Sequence, residues 1–131
     1  MLPDSATPIL IVEDFKTMAR IMRNLLKQLG YEDVDEAPDG SRALAMLREK
    51  AYGLVISDWN MAPMTGIELL RGLRAMAHHQ TTPFIMVTAE TRNENIIIAR
   101  GAGVNAYLVK PFNGETLRSK IEEAFAPARA A

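Results

Sequence analysis

Four short, largely apolar runs constrain this chain more than any other feature: ILIV at Ile9–Val12, LVIS at Leu54–Ser57, FIMV at Phe84–Val87 and AYLV at Ala106–Val109. A strand with one wet face alternates apolar and polar residues, whereas a strand buried on both faces reads as an unbroken apolar run. A weaker strand signal lies near Val34, followed by a turn at Pro38–Gly40. Helical spacing fills the intervals. Met18, Met22, Leu25, Leu26 and Leu29 mark a helix over Phe15–Leu29 that ends at Gly30. Leu44, Met46 and Leu47 mark a second, and Ile67, Leu69, Leu70 and Leu73 a third beginning after Gly66. Thr91–Arg100 is a fourth, ended by Gly101 and Gly103, and Leu117, Ile121 and Phe125 belong to a fifth. Strands alternating with helices imply right-handed crossovers and an α/β, doubly wound, five-stranded parallel sheet. The first few residues and the closing APARAA carry no pattern and are expected to fray.

In such a sheet, ligands bind beyond the carboxyl ends of the strands. The residues at those ends are therefore informative. ILIV runs into Glu13-Asp14, LVIS into Asp58, FIMV into Thr88 and AYLV into Lys110. Singly, each has a plain explanation: Glu13-Asp14 or Thr88 as helix caps, Asp58 as a turn residue, Lys110 as a solvated charge. Jointly, the plain explanations do not account for three carboxylates, a hydroxyl and an ammonium at one edge. Clustered carboxylates either raise a pKa or bind a cation. Oxygen donors with no cysteine or nearby histidine suit a hard ion, Mg²⁺ above all. A metal and a lysine around a carboxylate suit a phosphoryl group, with Asp58 as nucleophile and Thr88 as hydrogen-bond donor.

Composition removes other classes. With 131 residues the chain is long enough for one domain, 1–131 with a core over about 8–126. A net charge of −1 provides no overall field for nucleic acid. No apolar run reaches membrane-spanning length, and the start lacks the features of a signal peptide. Zero cysteines remove disulfides and thiol catalysis, so a cytoplasmic protein is expected.

The stretches VED at Val12–Asp14, VISDWNM at Val55–Met61, MVTAE at Met86–Glu90 and YLVKPF at Tyr107–Phe112 carry a specific resemblance. Together with NLLKQLGY and EAPDG, they make the chain similar to receiver domains of two-component signalling, and within that family to its single-domain chemotaxis branch. The resemblance implies the flavodoxin-like strand order 2-1-3-4-5, a known property of such receivers. It implies that Asp58 is the phospho-acceptor and that Glu13, Asp14, Asp58 and the backbone carbonyl of Asn60 hold Mg²⁺. Thr88 and Ala89 would contact the phosphoryl group, Lys110 would pair with it, and Lys110-Pro111 would be cis. Thr88 and Tyr107 would be the switch pair, and Asn60 and Glu90 would tune hydrolysis. It further implies a histidine kinase as donor, self-catalysed phosphotransfer and dephosphorylation, and a flagellar motor switch protein as target. No nucleic acid, no membrane insertion and a monomer are expected.

The loop Met61-Ala62-Pro63-Met64-Thr65-Gly66 departs from the family's M-P-x-M-D-G by a shifted proline and by threonine in place of the acid. His78-His79 read as solvated neighbours on a loop, the basic residues of Lys16–Lys27 as a solvated face, and the eight methionines as suited to ordinary cores and also to adaptable binding surfaces. Competing functions are a phosphate sink or phosphorelay shuttle, an aspartyl-nucleophile phosphatase and a flavin-binding carrier. The phosphatase would need a second acid where Asn60 stands, and the flavin carrier a Ser/Thr-rich loop where VEDFKT stands.

Overall fold

The computed structural model describes residues 4–89 and 92–126. Five strands, β1 (Ile9–Val12), β2 (Val34–Ala37), β3 (Leu54–Asp58), β4 (Phe84–Thr88) and β5 (Ala106–Val109), alternate with five helices. The helices are α1 (Lys16–Gln28), α2 (Gly40–Glu49), α3 (Gly66–Arg74), α4 (Asn93–Gly101) and α5 (Gly114–Ala124), with a 3-10 turn at Ala77–His79 before β4. The sheet is parallel throughout, in the order β2-β1-β3-β4-β5. That is the expected order.

Alternation along the strands divides the core into two layers. Leu10, Val12, Val55, Phe84 and Met86 face α2 and α3, packing with Ala43, Leu47, Leu69, Leu70 and Leu73. Ile9, Ile11, Leu54, Ile56, Ile85 and Val87 face α1 and α5, packing with Met22, Leu26, Leu117 and Ile121. Each fully buried leucine or isoleucine contributes about 1.5–3 kcal/mol, so the layers, not helix propensity, hold the fold together.

The helix ends correct several expectations. α1 is capped by Phe15 without a side-chain hydrogen bond and has no acid in its first turn, so Glu13-Asp14 do not cap it as anticipated singly. Arg92, not Thr88, precedes α4. Asp39, within the anticipated turn, caps α2 by accepting from the Arg42 N–H at 2.8 Å. Thr65 and Glu68 form a reciprocal capping box at the start of α3, so the threonine that replaces the family's acid serves as its N-cap. α1 and α4 end in glycines with positive φ, Gly30 at 101° and Gly103 at 99°.

His79 overturns the solvated reading. It is 1% exposed, its Nδ1 lies 2.8 Å from the Thr82 hydroxyl and its Nε2 lies 3.0 Å from the Leu47 carbonyl. His78 also reaches that carbonyl, at 2.9 Å, and the two rings stand 4.2 Å apart. The last turn of α2 leaves its carbonyls without helical partners, and the histidines fill that need. Arg23 of the basic α1 face likewise pairs with Glu36. The expected start of α4 at Thr91, the role of Glu90 and most of the fraying termini lie outside the described residues.

Candidate phosphoryl and metal site

Strand register levels the acidic groups. Val12 stands beside Ser57 in the parallel pairing of β1 and β3, which puts Glu13 level with Asp58. Asp58 in turn pairs with Val87, one residue before Thr88, and Thr88 pairs with Val109, one residue before Lys110. The backbone ladder continues past the strands: Trp59 N–H donates to Val87 at 2.9 Å and Lys110 N–H to Thr88 at 2.8 Å. Five sequence-distant residues thus reach one edge because four strands end together.

The side chains converge. Glu13, Asp14 and Asp58 each offer a carboxylate oxygen within 4.8 Å of the others. Lys110 Nζ lies 3.1 Å from Asp58 Oδ1 and 3.6 Å from Glu13 Oε1. Glu13 and Asp58 are only 8% and 7% exposed, Thr88 is fully buried, and Asp14 and Ala89 are exposed. Asn60 is exposed in the loop that follows Asp58.

The site contains more negative charge than Lys110 balances. Burial, then the neighbouring Asp58 charge, pushes the Glu13 carboxyl up to about 7, against the pull of Lys110; a hydrogen bond with Asp14 adds to the rise. Asp58 Oδ1 is fully buried and, although Lys110 supplies charge nearby, no group among the described residues aligns with it as a hydrogen-bond donor. An oxygen-only donor set with an unsatisfied buried carboxylate oxygen fits a hard divalent cation.

Packing fixes the loop that follows Asp58. A Cβ on Gly66 would lie 2.5 Å from the Asp58 carbonyl oxygen and 2.7 Å from Met86 Sδ. The Gly66 N–H donates to the Trp59 carbonyl at 2.9 Å. Both Lys110-Pro111, as expected, and Ala62-Pro63 are cis. Trp59 meets Tyr107 edge to face, with ring centroids 6.1 Å apart, which joins the loop after Asp58 to β5. That contact was not anticipated, since nothing local links positions so far apart in sequence. Beyond Tyr107, a groove of about 300 Å³ runs between α4 and α5, lined by Ile96, Arg100, Val104, Val109, Lys120 and Glu123 among others. Beside Lys110, an apolar hollow is lined by Met18, Ile21, Ala89, Pro111 and Phe112.

A parallel five-stranded sheet with acids, a hydroxyl and a lysine at its carboxyl edge defines a receiver domain, and the chain belongs to the response regulator receiver domain family, which it matches over residues 9–122. It is of the CheY type. It is 50% identical, over 117 residues, to the chemotaxis protein CheY of Pseudomonas aeruginosa, a match covering 89% of this chain and 94% of that protein. The structure of the chemotaxis protein CheY4 of Vibrio cholerae superposes with a TM-score of 0.87 at 33% identity, covering 92% of this chain and 99% of that one. The receiver domain of a Pseudomonas aeruginosa sensor histidine kinase, with a magnesium ion coordinated in its active site cleft, superposes with a TM-score of 0.81 at 27% identity, over 89% and 95% of the two chains. Membership in this family places the chain in phosphorylation-dependent two-component signalling, with a histidine kinase as donor and a downstream target. Among the described residues, no helix is long and apolar enough to cross a membrane.

Proposed function

We propose that this chain is a phospho-switch in which Asp58 accepts a phosphoryl group from a histidine kinase. The observation that carries the reading is the buried Asp58 carboxylate, held 3.1 Å from Lys110 Nζ and grouped with Glu13 and Asp14. An Asp58 oxygen bonds to the donor's phosphorus as the phosphorus–nitrogen bond to the donor imidazole breaks; the imidazole leaves with the electron pair and takes a proton. Lys110 then pairs with a phosphoryl oxygen, while the Thr88 hydroxyl and the Ala89 backbone would contact the others. Water attack on the phosphorus later releases inorganic phosphate and restores the carboxylate. Glu13, Asp14, Asp58 and the Asn60 carbonyl would hold Mg²⁺, which when bound neutralises the oxygens of the transferring group. The magnesium ion in the kinase receiver supports that assignment.

The output face is the groove beside Tyr107, with Thr88 and Tyr107 as its moving parts. The likeness to chemotaxis proteins supports a flagellar motor switch protein as its target. We assign the activity to one receiver unit, acting as a monomer in the cytoplasm without nucleic acid. The likeness to a receiver from a histidine kinase favours a second reading, a phosphate sink or relay shuttle. A sink loses phosphate quickly and shows no preference of a target for its phosphorylated form.

Trp59, the only tryptophan, adjoins the acceptor and serves as reporter. Fluorescence is expected to respond to Mg²⁺, and then to acetyl phosphate in the native chain but not in Asp58→Asn. Silence to both, with the fold intact, refutes the assignment.

A further inference from the structure

At the edge of the sheet opposite the site, one side chain ties down the far end of α4. Arg74, the last residue of α3, uses all five of its N–H groups. Nε and Nη2 donate to the Gly103 carbonyl at 3.3 and 2.8 Å, and Nη1 to the carbonyls of His79 and Thr82 at 3.0 and 2.6 Å. Nη2 also donates to Asn105 Oδ1 at 2.8 Å. Every acceptor is neutral, and among the described residues no carboxylate pairs with the guanidinium. Asn105 Oδ1 accepts in addition from the Phe84 N–H, at 2.9 Å, where β4 begins. The clamp therefore joins α3, the 3-10 turn, the start of β4 and the turn between α4 and β5.

The helix it holds is largely exposed elsewhere. The C-terminal end of α4 is closed by Val104 N–H on Ala99 and Gly103 N–H on Arg100, at 3.0 and 3.1 Å, with Gly103 in the left-handed region. Along its length only Ala99 is buried, and Ile97 is 69% exposed. That N-terminal end follows Thr88 and Ala89 of the site. The clamp lies at the other end of β4, roughly 13 Å away at the rise of a strand.

We infer that Arg74 is a positioning residue of the switch. It holds the α4–β5 turn still, so that a displacement beginning at Thr88 pivots α4 about its C-terminal end and reaches the groove at Tyr107. Without the clamp the turn yields with the helix, and the groove keeps its resting shape. The inference rests on the reading of Asp58 as phospho-acceptor and of the α4–α5 groove as output. Lysine cannot replace arginine here, because one ammonium cannot span acceptors on three segments.

The test is amide hydrogen exchange on the full chain, with Mg²⁺, before and after acetyl phosphate, in the native protein, Arg74→Lys and Arg74→Met. In the native chain, the amides of Ala102, Gly103 and Val104 should keep their protection in both states while those in the first turn of α4 change. In both variants the Ala102–Val104 amides should exchange at least tenfold faster, and the change in the first turn should fall by half or more. Acetyl phosphate should still act on Trp59 fluorescence at a rate within twofold of native. Loss of protection at Ala102–Val104 on phosphorylation of the native chain overturns the inference without recourse to any variant. So does an undiminished response of α4 in folded variants. A native chain that ignores acetyl phosphate removes the underlying reading, and the inference falls with it.

Discussion

Glu13 should make magnesium binding and stability depend on pH in opposite ways. Its carboxyl is held up to about 7 by burial and by Asp58, but it must be ionised to act as a metal ligand. At pH 6 about one Glu13 in eleven is ionised, and at pH 8 about ten in eleven, so Mg²⁺ affinity should rise about tenfold between them and then level off. Without metal, the folded state binds a proton at Glu13 that the unfolded chain releases near 4.5. Stability therefore falls as pH rises from about 4.5 to 7: the penalty is absent below that window and complete above it, at most about 3 kcal/mol. For a domain of this size that is roughly 10 °C in melting temperature. Thermal melts in chelator from pH 5 to 8, native against Glu13→Gln, isolate the contribution, and Trp59 titrations over the same range give the affinity. Glu13→Gln should remove the downward slope. An Mg²⁺ affinity that is flat from pH 6 to 8, or an identical slope in the variant, would refute the reasoning.

Gly66→Ala should destabilise the fold by about 2–3 kcal/mol, because the added carbon meets the backbone carbonyl of Asp58, which cannot move aside cheaply; denaturant melts measure this, and unchanged stability contradicts the packing. The same substitution should slow the response to acetyl phosphate by disturbing the acceptor loop. His79, whose pKa is lowered chiefly by burial, should contribute in the sense opposite to Glu13. Its neutral form is the one the fold accommodates, so its stabilisation is complete above the usual 6.5 and is lost as pH falls toward the lower folded value. Melts of native and His79→Gln below pH 6.5 should converge as acid is added, and parallel curves would contradict this.

The acidic edge was legible because its logic is local: each of the four strands that meet there is a largely apolar run, and the residue after it is charged or hydroxylated. Apolar runs placed four strands within a residue of their observed bounds, whereas β2 was expected only near Val34. The Thr65–Glu68 capping box was legible too, since a threonine three residues before a glutamate at a helix start is its signature, but it was not read. His79 was not legible, because its burial depends on free carbonyls at the end of α2, some thirty residues earlier. Arg74 was hidden for the same reason: it drew no reading of its own, because its acceptors, mostly backbone oxygens, are assembled only by tertiary folding. A residue's chemistry shows what it needs, and only the fold shows who supplies it.

The sheet also has a consequence for how substitutions combine. Its two side-chain layers, one under α2 and α3 and the other under α1 and α5, share a backbone but few side-chain contacts. Changes at Leu26 and Leu47 fall on opposite sides and should add, whereas changes at Leu47 and Leu70 share a layer and should interact. Epistasis in this protein is thus partitioned by the sheet. One layer can drift while the other stays intact, until their summed losses exhaust the stability that both support.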